Sequence, residues 1–232
     1  MTSETSNASS QRLEWAGESW MLLAKRAAIR ERTHTAYVAD LHFGKASAFR
    51  AAGVAVPGGT TERSLAQLSQ VIDEHAIEQL IILGDCLHSK AGRADSMFQT
   101  VADWRERYRA LDIVLVRGNH DDRAGDPPAS WAMQCVDEPW SADGLVHVHD
   151  PDVAPGDQFT LAGHIHPAVR LRDVDRSTAR FPCFWCQPKC MILPPFGVFT
   201  GHHVVRPRAS DSVMIIVDEE IIDVSRHTAK SR

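Results

Sequence analysis

Short apolar runs separated by polar segments dominate the first third of the chain, and their spacing predicts where strands and helices lie. Apolar runs at residues 19–23 and 35–39 are typical of buried strands, and we expect them to form a hairpin. A glycine-rich turn then leads to Thr60 and Thr61, either of which can cap a helix. The helical spacing of apolar residues predicts that this helix ends near His75.

Two more strands follow, separated by one helix. Residues 80–83 form a continuous apolar run, which is typical of a strand buried on both faces. Residues 96–109 have helical spacing, and residues 113–116 form a third apolar strand. Strands that alternate with helices pair in parallel through right-handed crossovers, so their carboxyl ends meet at one edge of the sheet. Polar residues that follow these strands are therefore expected to converge.

Beyond Pro139 the pattern changes to short strands separated by turns. We predict strands there at residues 145–148, 159–162, 168–171, 189–193 and 213–217. They form a second, mostly antiparallel sheet that packs face to face with the first. No internal repeat or flexible linker divides the sequence, so we expect one α/β domain at residues 12–225, with flexible tails at 1–11 and 226–232.

Composition indicates a cellular compartment but no substrate. The hydrophobic fraction of 44% and the charged fraction of 24% are ordinary for a soluble globular protein. The net charge of -5 provides no overall attraction for nucleic acid. No segment reaches the ~18 apolar residues of a membrane helix, and the polar N-terminus does not resemble a signal peptide. Five cysteines, an odd number, favour reduced thiols and therefore a cytoplasmic protein.

Four motifs place metal-binding side chains next to predicted strand ends. They are Asp40-Leu41-His42, Gly84-Asp85, Gly118-Asn119-His120-Asp121 and Gly163-His164-Ile165-His166. One motif alone is also explained by a helix cap or a turn, but four in this order favour a single site. Carboxylate, amide and imidazole together suit Mn²⁺, Fe or Zn²⁺. Asp85, alone in its motif, is the natural bridge between two ions about 3.5–4 Å apart, the spacing at which two ions share one phosphate.

The order of these motifs resembles the calcineurin-like metallophosphoesterase superfamily. The resemblance implies a two-sheet αβ sandwich with mixed sheets, which is the four-layer metallophosphoesterase fold, and a binuclear metal centre. It also implies that one ion binds Asp40, His42, Asp85 and His166, and that the other binds Asp85, Asn119, His149 and His164. His149 is preferred to His147 as the ligand between the last two motifs, because it lies at a strand end as the preceding ligands do. His147 remains an alternative.

The same resemblance implies a phosphoesterase reaction. Two cations lower the pKa of a bridging water, so that hydroxide can attack the phosphorus in line. His120 follows Asn119 and matches the superfamily's imidazole that contacts phosphate or protonates the leaving oxygen. We expect Asp121 to orient His120, and a general acid of this kind is worth ~10²–10⁴-fold in rate. Alternatively, Asp121 only closes a turn.

Several longer segments resemble a narrower group, the ligase-associated DNA damage response endonucleases of bacteria, also called PdeM-type metallophosphoesterases. The matching segments include residues 39–45, 57–61, 83–88, 116–121 and 161–167. The resemblance implies a manganese-dependent phosphodiesterase that cuts DNA and works with DNA ligase and helicase components of repair. Lys45, His88 and Arg117 flank the motifs and are candidate contacts for the phosphate backbone, although ordinary surface charge also explains them.

Two other functions remain open. The site also suits a nucleotide or small-molecule phosphoesterase, since the ions act on phosphate and do not identify its substituents. A non-catalytic scaffold for a repair partner would keep the fold but has no need of the complete set of metal-binding side chains. Cys183, Cys186 and Cys190 have a spacing that suits Zn²⁺, but no fourth ligand is evident apart from His202 or His203, so reduced thiols are favoured.

Overall fold

The computed structural model describes residues 9–172 and 177–225. Strand β1 begins at Ser10, within the predicted tail at residues 1–11, so the folded unit begins earlier than residue 12. Residues 1–8 and 226–232 of the predicted tails lie outside the described residues. No helix in the described part of the chain is long and apolar enough to cross a membrane.

The first sheet has its strands side by side in chain order. They are β1 Ser10–Trp15, β2 Glu18–Leu23, β3 Ala28–Arg30, β4 Thr35–Val38, β5 Gln79–Leu83, β6 Asp112–Val116 and β7 Gln134–Val136. Strands β1 to β4 are antiparallel, and strands β4 to β7 are parallel. The predicted hairpin of residues 19–23 with 35–39 is wrong, because β3 lies between them. A three-residue strand is too short to show a periodic pattern in the sequence.

Helices connect the parallel strands of this sheet. They are α1 Lys45–Ala51, α2 Thr60–His75, α3 Asp95–Arg107 and α4 Asn119–Ala124. Helices α2 and α3 match the two predicted helices, and their Leu68 and Val101 pack with Leu80 and Ile82 of β5 in one core cluster. The predicted threonine cap is wrong: Gly59, with a φ of 73°, is the N-cap of α2, and no side chain caps this helix.

The second sheet is mixed, and it contains all five strands predicted beyond Pro139. In chain order its strands are β8 Trp140–Ala142, β9 Leu145–His147, β10 Thr160–Ala162, β11 Pro167–Arg172, β12 Thr178–Cys186, β13 Cys190–Ile192, β14 His203–Val204, β15 Ser212–Val217 and β16 Glu220–Asp223. Antiparallel pairs predominate as predicted, but β10 runs parallel to both β9 and β13. The ends of β9 and β10 therefore point the same way.

The two sheets pack face to face around an apolar layer. Tyr37 and Ile81 of the first sheet lie in one buried cluster with Phe184, Met191 and Met214 of the second. This arrangement, two mixed sheets with helices outside the first, is the predicted two-sheet αβ sandwich. Because the sheets are held together by this layer, the strand ends of both sheets meet along one edge of the sandwich.

Candidate metal centre

The first sheet supplies the oxygen ligands at this edge. Asp40 follows β4, Asp85 follows β5, and Asn119 follows β6 as the first residue of α4. The backbone N–H of Asp40 donates to the carbonyl of Gly84 at 3.1 Å, and the N–H of His42 donates to that of Asp85 at 2.8 Å. These bonds hold the first two motifs side by side. Asp40 and Asp85 are buried, with 0% and 2% exposure.

The second sheet supplies imidazoles to the same place. His149 follows β9, whereas His164 and His166 lie between β10 and β11. The N–H of His164 donates to Asp40 Oδ2 at 3.1 Å, and His149 Nδ1 lies 3.0 Å from the carbonyl of Leu83 in β5. Both contacts cross from one sheet to the other, so the imidazoles are positioned by the packing of the sandwich.

One half of the centre contains Asp40, His42 and His166, whose ligand atoms lie within 4.8 Å of one another. His166 Nε2 is 3.2 Å from Asp40 Oδ1, and His42 Nε2 is 3.8 Å from Asp85 Oδ2. Burial lowers the pKa of His42 to about 2, so its imidazole is neutral and can offer a lone pair. Within the described residues, the buried Asp40 Oδ1 has the contact with His166 Nε2 but no partner with hydrogen-bond geometry, and a cation would satisfy it.

The other half is built around His149. Its Nε2 lies 3.4 Å from Asp85 Oδ1, 3.1 Å from Asn119 Oδ1 and 3.0 Å from His164 Nδ1. Nδ1 of His149 faces the Leu83 carbonyl, so a neutral ring that donates there would present a lone pair at Nε2 to a bound cation. Lone pairs of oxygen and nitrogen thus point at one another, an arrangement that a divalent cation stabilises. The donor set fits a metal in both halves.

Five of the seven predicted ligands have left-handed backbone conformations. They are Asp40, His42, Asp85, His164 and His166, with φ between 48° and 66°. Such values cost roughly 1–3 kcal/mol each in non-glycine residues and are concentrated at functional sites. The sequence gives one indirect signal of this crowding, the glycines that precede Asp85 and His164. A Cβ on Gly84 would lie 2.1 Å from His149 Nδ1, and one on Gly163 would lie 2.7 Å from the Leu83 carbonyl oxygen.

His120 lies beside the ligands, and ligand atoms of His42, His88 and His120 lie within 4.8 Å of one another, so these imidazoles form a further group that could hold a metal. By the family resemblance, His120 is a ligand of neither half. Its Nε2 is 3.9 Å from Asp85 Oδ2, and its Nδ1 is 2.6 Å from the carbonyl of His88. The rings of His120 and His88 stack with centroids 4.9 Å apart, and the ring of His42 is 5.0 Å from that of His120. The side chain of His120 is 31% exposed. It can therefore reach a substrate that approaches the centre from solvent.

The predicted pairing of Asp121 with His120 is wrong. The Asp121 carboxylate is buried and accepts hydrogen bonds from the backbone N–H groups of Gly118 at 3.0 Å, Leu87 at 2.9 Å and Cys86 at 3.3 Å. Two of these groups belong to the loop after Asp85, so Asp121 ties that loop to the start of α4. Buried backbone N–H groups in the loop and at the helix start, which have no backbone acceptor, compete for a nearby carboxylate, and this explains the difference.

The other predicted contacts divide into two groups. Lys45 is half-buried near Asp40 and Asp85, and burial lowers its pKa. His88 lies against His120, as described above. Arg117 has other partners: its guanidinium bonds Asp126 at 2.7 and 2.8 Å and Asp137 at 2.7 Å, and its contact with phosphate stays a prediction.

Two histidines near the centre have different surroundings. His149 lies among the ligands, whereas His147 is stacked on Tyr37 between the sheets, with ring centroids 5.6 Å apart. His147 Nδ1 faces the carbonyl of Trp140 at 3.2 Å. Burial lowers the pKa of His147 to about 4. The structure therefore brings His149, and not His147, to the metal centre.

The cysteines of the second sheet do not extend the centre. Cys183 and Cys186 are buried in β12, and burial raises the pKa of the Cys183 thiol to about 12. Within the described residues, no group of side chains close enough to hold a metal includes a cysteine. The alternative of a zinc site at Cys183, Cys186 and Cys190 thus has no support in the structure.

Two carboxylates at the centre were not predicted from the sequence. Glu138 Oε2 accepts hydrogen bonds from the backbone N–H groups of His149 at 2.6 Å and Asp150 at 2.9 Å. Asp150 Oδ2 lies 4.0 Å from His164 Nε2. The only sequence signal was the position of Asp150 directly after His149.

This geometry defines a metal-dependent phosphoesterase, and comparisons with known proteins agree. The sequence model of the calcineurin-like phosphoesterase family matches residues 33–207, so the chain belongs to that family. The structure is similar to that of the Pseudomonas putida nuclease MPE, with a TM-score of 0.81 and 39% sequence identity. The similarity covers 93% of this chain and 100% of that one.

More distant similarity was found to the phosphoesterase Yfce of E. coli. That structure is 16% identical, with a TM-score of 0.42 and coverage of 82% of this chain and 98% of that one. A TM-score this low carries no argument about function. No curated protein sequence matches the chain significantly. The family and the nuclease relative confirm a metal-dependent hydrolase and agree with the endonuclease group that the motifs resemble.

Proposed function

We propose that the chain is a binuclear, manganese-dependent phosphodiesterase that cleaves DNA as an endonuclease in bacterial DNA repair. The observation that carries this proposal is the position of Asp85. Its two oxygens lie 3.8 Å from His42 Nε2 and 3.4 Å from His149 Nε2, so the two ligand sets share one carboxylate. A shared carboxylate is what holds two cations on one phosphate.

The ligand set accounts for the choice of metal. One ion would be held by Asp40, His42, Asp85 and His166, and the other by Asp85, Asn119, His149 and His164. Oxygen and imidazole ligands without thiolate suit Mn²⁺, Fe or Zn²⁺, and the resemblance to the endonuclease group favours Mn²⁺ among them. When bound, such ions withdraw charge from the phosphoryl oxygens and lower the pKa of the attacking water.

His120 is the candidate for protonating the leaving oxygen. Its Nδ1 faces the His88 carbonyl at 2.6 Å, which fixes the ring and leaves Nε2 as the atom that delivers a proton. His88 and Lys45 lie on the same side of the centre and provide hydrogen-bond donors for the remaining phosphate oxygens. Asp121 supports these residues through backbone hydrogen bonds only, since its carboxylate holds the loop after Asp85 against α4.

DNA as the substrate is supported by the relative and by the solvent-facing side of the site. The 39% identical protein of Pseudomonas putida is described as a nuclease. His120 is partly exposed and Lys45 forms no ion pair in the described structure, so a polymer can approach from solvent. Action with DNA ligase and helicase follows from the family resemblance. The five cysteines are free thiols, which is consistent with a protein that acts in the reducing cytoplasm.

A panel of phosphoesters tests the proposal. The purified protein would be incubated with Mn²⁺ or with chelator, using circular single-stranded DNA, circular duplex DNA, a cyclic dinucleotide, bis-p-nitrophenyl phosphate and p-nitrophenyl phosphate. We expect Mn²⁺-dependent cleavage of circular DNA and of the synthetic diester, and loss of both in Asp85→Asn. Cleavage of the monoester alone would rule out a nuclease. Hydrolysis of no substrate, with the fold and metals intact, would support the scaffold alternative.

A further inference from the structure

The two halves of the metal centre differ in the charge of their ligands. Asp40 and Asp85 place two carboxylates beside His42 and His166. In the proposed ligand set, the half around His149 has only the shared Asp85 as a carboxylate ligand, because its other oxygen ligand is the neutral amide of Asn119. Asp40, a ligand of the first half, also places its Oδ1 4.0 Å from His149 Nδ1. If nothing compensated, the second half would bind a divalent cation more weakly than the first.

Carboxylates outside the ligand set lie next to the second half. Asp150 Oδ2 is 4.0 Å from Nε2 of His164, whose Nδ1 faces His149 Nε2 at 3.0 Å. The ring of His164 thus lies between a carboxylate and the position of the ion. Glu138 Oε2 accepts from the backbone N–H groups of both His149 and Asp150. The Glu138 carboxylate therefore holds the backbone of the ligand His149 and of Asp150, which faces the ligand His164.

Among the residues that the structure describes, the first half has no equivalent of these contacts. The outer nitrogen of His166, Nδ1, lies 3.1 Å from the carbonyl of Gly201. His42 Nδ1 is buried and has no hydrogen-bond partner within the described residues. The group that accepts from the outer nitrogen of a metal-binding imidazole orients the ring and raises its basicity, whether it is a carboxylate, a carbonyl or water. Among the described residues, the half around His149 adds a full negative charge at such a nitrogen, because Asp150 Oδ2 lies 4.0 Å from His164 Nε2.

We propose that Glu138 and Asp150 are positioning residues for the ion held by Asp85, Asn119, His149 and His164, and that they set the affinity of this half without affecting the other. The inference rests on the proposed binuclear function. Asp150 acts through the charge that it presents to His164. Glu138 acts by holding the backbone at His149 and Asp150, so that both side chains keep their places.

The test is Mn²⁺ binding to the chelator-treated full chain, followed by calorimetry and by electron paramagnetic resonance. In the unaltered protein we expect two bound ions and the spectrum of a coupled pair. Asp150→Asn should weaken one binding step about 10–100-fold and leave the other unchanged. Glu138→Ala should weaken the same step. Asp150→Glu, which restores a carboxylate, should recover most of the affinity.

Asp152→Asn is the matched control, since this neighbouring carboxylate is exposed and makes no contact with His164. It should bind both ions as the unaltered protein does. Double variants identify which half is affected. Asp150→Asn should add little to Asn119→Ala, which already removes a ligand of the half around His149. It should keep its effect in His166→Asn, which removes a ligand of the other half. Circular dichroism would show that each variant is folded.

The results distinguish failure of the proposed positioning role from failure of the proposed binuclear function. If the unaltered protein binds fewer than two Mn²⁺ ions, the binuclear proposal fails. If it binds two, but Asp150→Asn and Glu138→Ala weaken both steps equally or neither, the positioning role is wrong and the binuclear proposal stands.

Discussion

The two sheets contribute different chemistry to one edge of the molecule. The first, with its parallel strands and crossover helices, places short, buried oxygen ligands such as Asp40 and Asp85 at strand ends. The second, a set of short strands joined by turns, places the imidazoles of His149, His164 and His166. Neither sheet has enough ligands alone for two ions. The metal centre is therefore a property of the packed sandwich, and metal binding reports whether the sheets are correctly docked.

The largest effect is expected from the carboxylate that both halves share. Asp85→Ala should remove both ions, and because bound cations contribute several kcal/mol to phosphoryl transfer, kcat/KM should fall about 10³-fold or more. His166→Asn, which removes one imidazole of the second sheet, should leave one ion bound. Metal analysis by mass spectrometry distinguishes the two. Retention of both ions in Asp85→Ala would show that the halves do not share this residue.

His120→Gln should preserve the docked sheets and both ions but slow the reaction. A lost general acid lowers the rate ~10²–10⁴-fold when the leaving group is poor. DNA cleavage should therefore fall far more than hydrolysis of bis-p-nitrophenyl phosphate, whose leaving group needs no proton. Loss of metal in this variant would instead make His120 a ligand, and equal loss of both activities would contradict the role of acid.

Gly84→Ala tests the contact between the sheets. The new Cβ would lie 2.1 Å from His149 Nδ1, and Gly84 has a φ of 77°, so the variant combines overpacking with backbone strain. We expect the free energy of unfolding to fall by about 2–5 kcal/mol. Gly144→Ala is the control, because it has a φ of 79° but no atom within 4 Å of its Cβ. Similar losses in chemical denaturation of both variants would show that backbone strain alone is responsible.

The smallest effect concerns the thiols of the second sheet. Burial raises the pKa of Cys183 and Cys190 to about 12, and raises that of Cys186 as well, so little thiolate is present at pH 8. The native protein should react with iodoacetamide slowly, with the half-buried Cys135 and Cys190 first, and faster after unfolding. Mass spectrometry of the labelled chain checks the order. Rapid labelling of Cys183 would mean that the second sheet opens locally.

The sequence was sufficient to predict the strand ends and hence the side chains that converge there. Strand β5 and helix α2 have strong patterns because burial on a sheet and on a helix face repeats with fixed periods. The partners of individual polar groups were not predictable. Arg117 pairs with Asp126 and Asp137, which approach it only after the chain folds. Asp121 likewise accepts from N–H groups that the sequence pattern does not bring near it.

The left-handed backbone at Asp40, His42, Asp85, His164 and His166 has a consequence for mutagenesis of the centre. Asparagine tolerates this conformation better than alanine does, since its short polar side chain bonds locally. An alanine scan would therefore mix two effects, a missing ligand and a backbone that relaxes away from its native shape. An asparagine scan keeps the loops closer to their native path. At these positions, asparagine is the more informative reference residue, and the apparent tolerance of a site to substitution depends on which reference is chosen.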